Sequence, residues 1–242
     1  MKLSQPSGNS TKNRFLIAVF VCSTAIAGEL TDNTLETGRN LFSAVPASVL
    51  AAGAAGSFFA YRTEDPEGYS GFMPESPFNT LDRVDDFLFG KALPVSSAVV
   101  WIAGKAAGSD DLEATGEELC RGLLYSYGIT LIAKVSTGRT RPDGTDTTSF
   151  PSGHAAGTSC AAVVLWHRYG AEVGIPAAAV AVYTCLSRVN LGRHFPSDVL
   201  MGAAVGTACG IAASMVDNDH PAGGVKFSLS IDTEGRITPG LW

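Results

Sequence analysis

The feature that most constrains the fold is a series of long apolar stretches, rich in alanine and glycine, that are separated by short polar segments. These stretches show no convincing alternation of apolar and polar residues, so they favour helices over strands. We therefore predict an all-α fold, a compact helical bundle. The predicted helical stretches are residues 41–61, 93–107, 122–133, 155–166, 175–186 and 199–216.

Two of these stretches, the first and the last, are long enough to cross a membrane. The first contains Pro46, so it is either a membrane span or a buried helix with a kink. The last carries Gly202, Gly206 and Gly210 on one helical face, where a neighbouring backbone can approach closely. Because the other stretches are shorter, we slightly favour a membrane-associated bundle over a fully polytopic protein.

The two ends of the chain have patterns of their own. Lys2, Lys12 and Arg14 precede an uncharged run at 15–28, which is typical of a secretory signal peptide, with a retained anchor helix as the alternative. Near the other end, alternation at 226–237 predicts a short β-hairpin. The chain is accordingly divided into a signal peptide or N-terminal anchor, a helical domain and a C-terminal tail, at residues 1–28, 29–220 and 221–242.

The charge distribution separates two classes of partner. A net charge of −6 argues against nucleic acid, because binding to its phosphate backbone requires a basic face. Several basic residues nevertheless lie near two of the four histidines, which indicates a site for a small anion. These residues are Lys134, Arg139, Arg141, Arg188 and Arg193. The cysteines lack the spacing of a metal site, and we expect no metal and no cofactor.

The first segment with chemical content contains Lys134 and Arg141, seven positions apart where an apolar helix is predicted to end. A lysine supplies a compact charge and an arginine a planar fork, which together suit the oxygens of a phosphoryl group. By itself the pair is weak evidence, because cations are common at helix C-termini.

The second segment, Pro151-Ser152-Gly153-His154, immediately precedes an apolar run. Ser152 is placed to cap a helix, and backbone N–H groups at a helix start bind anions. Gly153 would let a ligand approach the backbone, and His154 could then give a proton to a leaving oxygen. The alternative is an ordinary capped helix with a surface histidine.

The third segment, residues 187–198, contains Arg188, His194, Pro196 and Asp198. Pro196 suits the first turn of a helix. Four residues separate His194 from Asp198, so on such a helix the carboxylate could reach and orient the imidazole. An oriented imidazole that faces an anion pocket is a nucleophile. A solvated His/Asp pair at a helix start is the alternative for this segment alone.

Together the three segments, Lys-x6-Arg-Pro, Pro-Ser-Gly-His and Ser-Arg-x5-His-x3-Asp, resemble the signature of the type-2 phosphatidic acid phosphatases and vanadium haloperoxidases. The joint motif, at residues 134–198, is far more specific than any of its parts. The resemblance implies that family's helical fold and a metal-free mechanism, in which His194 forms a phosphohistidine, Asp198 orients it and His154 acts as acid and base. The implied phosphate-binding residues are Lys134, Arg141, Ser152, Gly153 and Arg188.

Members of this family include periplasmic acid phosphatases and phosphatases of lipid and isoprenyl phosphates. The resemblance therefore implies a phosphorylated small molecule, a phospholipid or an isoprenyl phosphate as substrate. With the export signal, we expect a periplasmic or inner-membrane-associated protein whose site faces the periplasm. The polar loop at 62–82 is our candidate for substrate selection.

Two other functions compete with a phosphatase. A vanadate-dependent haloperoxidase would use the same anion site, but those enzymes carry larger helical regions than this chain has room for. A non-catalytic envelope protein could use the site only to bind phosphate. Binding alone would require the cations but neither a nucleophile nor a proton donor, so the two histidines favour an enzyme.

Overall fold

The computed structural model describes residues 32–65, 92–216, 227–231 and 237–241. Within these ranges the chain forms seven helices and one pair of antiparallel strands. The helices are α1 (residues 32–40), α2 (Ala44–Thr63), α3 (Leu93–Ala107), α4 (Asp110–Thr137), α5 (Gly153–Tyr169), α6 (Ala171–Asn190) and α7 (Pro196–Ser214). The strands are β1 (Phe227–Ile231) and β2 (Ile237–Leu241). The predicted helical bundle and the C-terminal hairpin are confirmed.

Helix α7 lies at the centre of the bundle, in contact with α2, α4, α5 and α6. Its glycine stripe packs directly against α5, as the four-residue spacing predicted. A Cβ atom at Gly206 would lie 2.7 Å from the carbonyl carbon of Ala156, so a larger side chain there would force the two helices apart. The other two contacts join Gly202 to Ser152 and Gly210 to Val163.

Helix α2 is not a buried helix. Of its side chains only Pro46 and Ser57 are buried, whereas Phe58 and Phe59 are 65% and 72% exposed. The kink that belonged to the buried-helix alternative has no cause here, because the helix begins at Ala44 and Pro46 lies in its first turn, where backbone N–H groups make no helical hydrogen bond. An apolar helix with its side chains on the outside fits a membrane span.

Three helices, α2, α6 and α7, are long and apolar enough to cross a membrane. The sequence indicated only two, because the apolar core of α6 is shorter than the helix that contains it. Large apolar side chains cover the outside of several helices, as expected for a bundle in contact with lipid. Examples are Leu124, Leu131, Ile132, Val135, Ile175, Val182, Leu186 and Leu200.

Helix α4 begins at Asp110, twelve residues before the apolar stretch that predicted it. Its first turn carries three acidic residues, which are favourable at the positive end of the helix dipole. Further along, the buried Glu118 accepts a hydrogen bond from the Ser214 hydroxyl and forms an ion pair with Arg168, whose Nε lies 2.8 Å from Oε2. His167 Nδ1 lies 3.1 Å from Oε1. These partners stabilise the charge of Glu118.

Some predictions fall on residues outside the described ranges. They are the signal peptide or anchor at 1–28, most of the loop at 62–82, and the turn of the hairpin.

Candidate active site

The site is assembled from the ends of four helices. Lys134 lies in the last turn of α4 and Arg188 in the last turn of α6, while Ser152 caps α5 and Asp198 lies in the first turn of α7. The Ser152 N–H donates to the carbonyl oxygen of Asp198 at 2.9 Å, which joins the starts of α5 and α7. The three sequence segments therefore meet at one end of the bundle.

His194 lies in the short connection between α6 and α7 and is only 2% exposed. Its backbone N–H donates to the carbonyl oxygen of Arg188 at 3.2 Å, which places the loop against the end of α6. The imidazole Nδ1 lies 3.7 Å from Oδ2 of Asp198, an ion-pair distance rather than a hydrogen bond. The structure thus brings the predicted pair together and leaves Nε2 as the ring nitrogen away from the carboxylate.

The carboxylate of Asp198 is completely buried and is held by three donors. Arg139 donates to Oδ1 at 2.8 Å, whereas Ser149 Oγ and the N–H of Phe195 donate to Oδ2 at 2.5 and 2.9 Å. A carboxylate with three hydrogen bonds cannot rotate freely. Sequence reasoning assigned no role to Arg139 or Ser149, although Arg139 was part of the basic cluster.

Arg139 is itself positioned by a carboxylate from another part of the chain. Its guanidinium pairs with Glu64, at the end of α2, and lies 4.0 Å from the centroid of the Phe195 ring. Glu64 also accepts hydrogen bonds from the N–H and the hydroxyl of Ser197, at 3.3 and 3.1 Å. Glu64 was not predicted, because it lies far from the motifs in the sequence.

The remaining cations line the loop between α4 and α5. Lys134 Nζ donates to the carbonyl oxygen of Thr148 at 2.5 Å. Arg141 donates from Nε to Asp146 at 2.8 Å and from a terminal nitrogen to Thr148 Oγ1 at 3.2 Å. These contacts hold the Arg141 side chain in one orientation. Together with the buried Arg188, Lys134 and Arg141 make the surroundings of His194 positive.

The start of α5 has the predicted form. The Ser152 side chain accepts the N–H of Ala155 at 3.4 Å, which confirms the cap. Gly153 and His154 follow in the first turn, and the carbonyl oxygen of His154 accepts a hydrogen bond from Thr158 at 2.8 Å. The positive end of the α5 dipole thus lies at the site, where an anion would be stabilised.

Burial lowers the pKa of two functional groups, His194 and Lys134. It lowers the pKa of His194, helped by Lys134 and Arg141 and opposed by Asp198, so the imidazole is neutral at neutral pH. Burial and the neighbouring Arg141 also lower the pKa of Lys134, to about 8. The site therefore combines a neutral imidazole with cations near neutral pH.

These pKa values predict a bell-shaped pH profile of kcat/KM for a phosphoryl transfer to His194. The acid limb should lie below about 6.5, the ordinary pKa of histidine, because attack requires the neutral ring and burial keeps it neutral at lower pH. The alkaline limb should lie near pH 8, where Lys134 loses its charge. The measurement is kcat/KM across pH, corrected for ionisation of the substrate's phosphate.

Lys134→Arg is the diagnostic variant for the alkaline limb. Its guanidinium keeps the proton, so the limb should move to higher pH while the acid limb stays in place. An acid limb above about 6.5 in the unmodified protein would contradict the assignment to a buried His194.

The comparisons with known proteins agree with this geometry. Residues 118–220 match the model of the PAP2 superfamily. This part of the chain is therefore similar to the PAP2 superfamily. The PAP2 match contains all the motif residues from Lys134 to Asp198 and leaves Glu64 outside. The family predicted from the three segments is confirmed.

The chain is also similar to two named relatives. It is 43% identical to the lipid A 1-phosphatase of Porphyromonas gingivalis over 122 residues, 48% of this chain and 27% of the relative. It is 36% identical to the decaprenylphosphoryl-5-phosphoribose phosphatase of Mycobacterium tuberculosis over 105 residues, 39% of this chain and 57% of the relative. The chain thus spans about a quarter and just over half of their lengths.

The solved structure is the transmembrane PAP2 type phosphatidylglycerolphosphate phosphatase from Bacillus subtilis. It has 22% identity and a TM-score of 0.47, and the match covers 78% of this chain and 94% of that one.

Proposed function

We propose that this protein is a phosphatase of lipid phosphates that acts without a metal, through a phosphohistidine at His194. The observation that carries the proposal is a buried imidazole with Asp198 on one side and a group of cations nearby. A nucleophile, its orienting acid and an anion site are the parts that phosphoryl transfer to an enzyme requires.

In the first step, Nε2 of His194 attacks phosphorus and the bond to the leaving oxygen breaks. Lys134, Arg141, Arg188 and the start of α5 neutralise the charge on the other phosphate oxygens. His154 gives its proton to the leaving alkoxide, so the product is an alcohol. The ring of His194 becomes positively charged, and its Nδ1–H is stabilised by the negative charge of Asp198.

In the second step, a water molecule attacks the phosphorus and the bond to Nε2 breaks. His154, which lost its proton in the first step, takes one from this water. Inorganic phosphate leaves, and both histidines return to their starting states. The placement of His154 in the first turn of α5, next to Ser152 and Gly153, supports this role.

The outside of the bundle supports a lipid as the substrate. Helices α2, α6 and α7 are long and apolar enough to span a membrane, and the site lies at the ends of α6 and α7. A headgroup phosphate could then enter the site while its chains stay in the bilayer. We place the protein in the inner membrane with the site on the periplasmic side.

The names of the relatives favour a phosphatase over the two competing functions. Both are named as phosphatases, of lipid A and of a decaprenyl-linked phosphoribose, which are phosphates attached to lipids. No feature of the described residues favours a haloperoxidase or a protein that only binds phosphate.

The test is phosphate release, in the presence of a chelator, from phosphatidate in detergent micelles and from a soluble aryl phosphate. We expect release that resists the chelator, with a higher kcat/KM for the lipid, because the apolar exterior recruits it. Release that stops in chelator and returns with a divalent cation would overturn the metal-free mechanism. A higher kcat/KM for the soluble phosphate would overturn the lipid assignment.

A further inference from the structure

Glu64 is a buried acid that the signature motifs do not include. It is the residue that follows the last turn of α2, and its side chain is only 4% exposed. A buried carboxylate is costly unless charged or polar groups compensate it. Glu64 has both: it pairs with Arg139, and it accepts two hydrogen bonds from Ser197.

The contacts of Glu64 lead directly to the residue that faces His194. Arg139 uses one terminal nitrogen for Glu64 and the other for Oδ1 of Asp198, at 2.8 Å. The second of these nitrogens also donates to the Ser197 hydroxyl, at 2.7 Å. A single guanidinium therefore joins two carboxylates, one from α2 and one from α7, with Phe195 against its face.

Helix α2 holds Glu64 in place through two further contacts with α7. The hydroxyl of Ser57 donates to the carbonyl oxygen of Ser197 at 2.9 Å, and Gly53 packs directly against Ala204. The end of α2 is thus fixed against the start of α7, so Glu64 can determine the position of Arg139.

We propose that Glu64 is a positioning residue for the phosphoryl transfer of the proposed function, on which this inference rests. Because Glu64 binds one terminal nitrogen of Arg139, only the other terminal nitrogen is left for Asp198. The guanidinium therefore cannot form a two-pronged ion pair with the Asp198 carboxylate through both of its terminal nitrogens. Glu64 also balances the positive charge that Arg139 brings close to His194. The active site thereby extends beyond the family segment at 118–220, to the end of the first described membrane-length helix.

The central variant is Glu64→Gln, which keeps the size and removes the charge. We expect kcat to fall by about tenfold, as small displacements near a reacting pair do, with KM within about twofold, because Glu64 does not touch the substrate. The acid limb of kcat/KM should move to lower pH by about 0.5 to 1 unit, because one negative charge near His194 is lost. The charged groups around this histidine are Lys134, Arg139, Arg141, Arg188 and Asp198.

Glu113→Gln is the matched control, because Glu113 also forms an ion pair, with Lys105 at 2.7 Å, at the start of α4. It should leave kcat and both limbs unchanged. Glu64→Asp keeps the charge, so its acid limb should stay at the position of the unmodified protein even where kcat falls. Rates are normalised to the fraction of molecules that form a phosphoenzyme, which removes any loss due to misfolding.

Titration of His194 by nitrogen NMR tests the same link without turnover. Its signal is identified as the one missing in His194→Ala, and its pKa should fall in Glu64→Gln but not in Glu113→Gln. A shifted pKa in a protein that hydrolyses none of the substrates would overturn the proposed function but not the link from Glu64 to His194. Active protein with unchanged kcat, acid limb and His194 titration in Glu64→Gln would overturn the positioning role.

Discussion

Replacing His194 by alanine is expected to reduce phosphate release by roughly 10⁴-fold or more, because the variant lacks the proposed nucleophile. The imidazole lies 3.7 Å from Asp198 and is 2% exposed, so its removal takes the proposed nucleophile out of a buried site. The variant should still bind phosphate, since the cations remain. The measurements are kcat with phosphatidate and labelling of the protein by radioactive substrate in a rapid acid-free quench.

His167→Gln is the matched control for this prediction. His167 is also a histidine beside a carboxylate, Glu118, but it lies at the opposite end of the bundle. This variant should retain turnover and labelling. If His194→Ala kept either of them, the phosphohistidine mechanism would be wrong.

The second large effect is expected for Asp198→Asn, which changes one atom of a completely buried side chain. If the amide nitrogen takes the place of Oδ2, it meets the N–H of Phe195, which can only donate. If it takes the place of Oδ1, it meets the guanidinium of Arg139, which also can only donate. Either orientation places two donors together, and the charge that stabilises the His194 imidazolium is lost.

We therefore expect kcat to fall by about 10³- to 10⁴-fold and the free energy of unfolding to fall by about 3–5 kcal/mol. Activity is measured at a temperature where the variant is still folded, and unfolding is followed by loss of helical signal in the same detergent. Asp111→Asn, in the exposed first turn of α4, is the control: it should leave kcat unchanged and lower the free energy of unfolding by at most about 1 kcal/mol, the contribution of one charge to the helix dipole. A stable Asp198→Asn protein with nearly normal kcat would contradict the role of this carboxylate.

The parts of the structure that were predictable follow local rules. Ser152 was identified as a cap because it precedes an apolar run, and Pro196 as a helix start because of its fixed backbone angle. The spacing of His194 and Asp198 predicted that the carboxylate would reach the imidazole. It does so across the helix start, because His194 lies two residues before α7 and Asp198 lies in its first turn. The hairpin followed from alternation near the C-terminus.

The parts that were not predictable depend on contacts between distant segments. Glu64 and Ser197 are 133 residues apart, and Ser149 and Asp198 are 49 apart, so no local pattern connects them. Arg139 appeared only as one more positive charge, because its two acidic partners come from different helices. The length of α4 was also underestimated from the apolar pattern. Its charged first half is part of the helix, and there the buried Glu118 contacts Arg168 and Ser214 from other helices.

The single residue Gly170 connects α5 to α6, with a positive φ that a residue with a side chain rarely adopts. Because the turn is so short, α6 runs antiparallel to α5 and packs against it. The C-terminal end of α6 therefore lies beside the N-terminal end of α5. The proposed catalytic and phosphate-binding residues at the ends of α4, α5, α6 and α7 therefore all lie at the same end of the bundle. In the proposed membrane setting, a lipid in the far leaflet stays out of reach until it crosses the bilayer, so the movement of lipids between leaflets limits how much substrate the enzyme can consume.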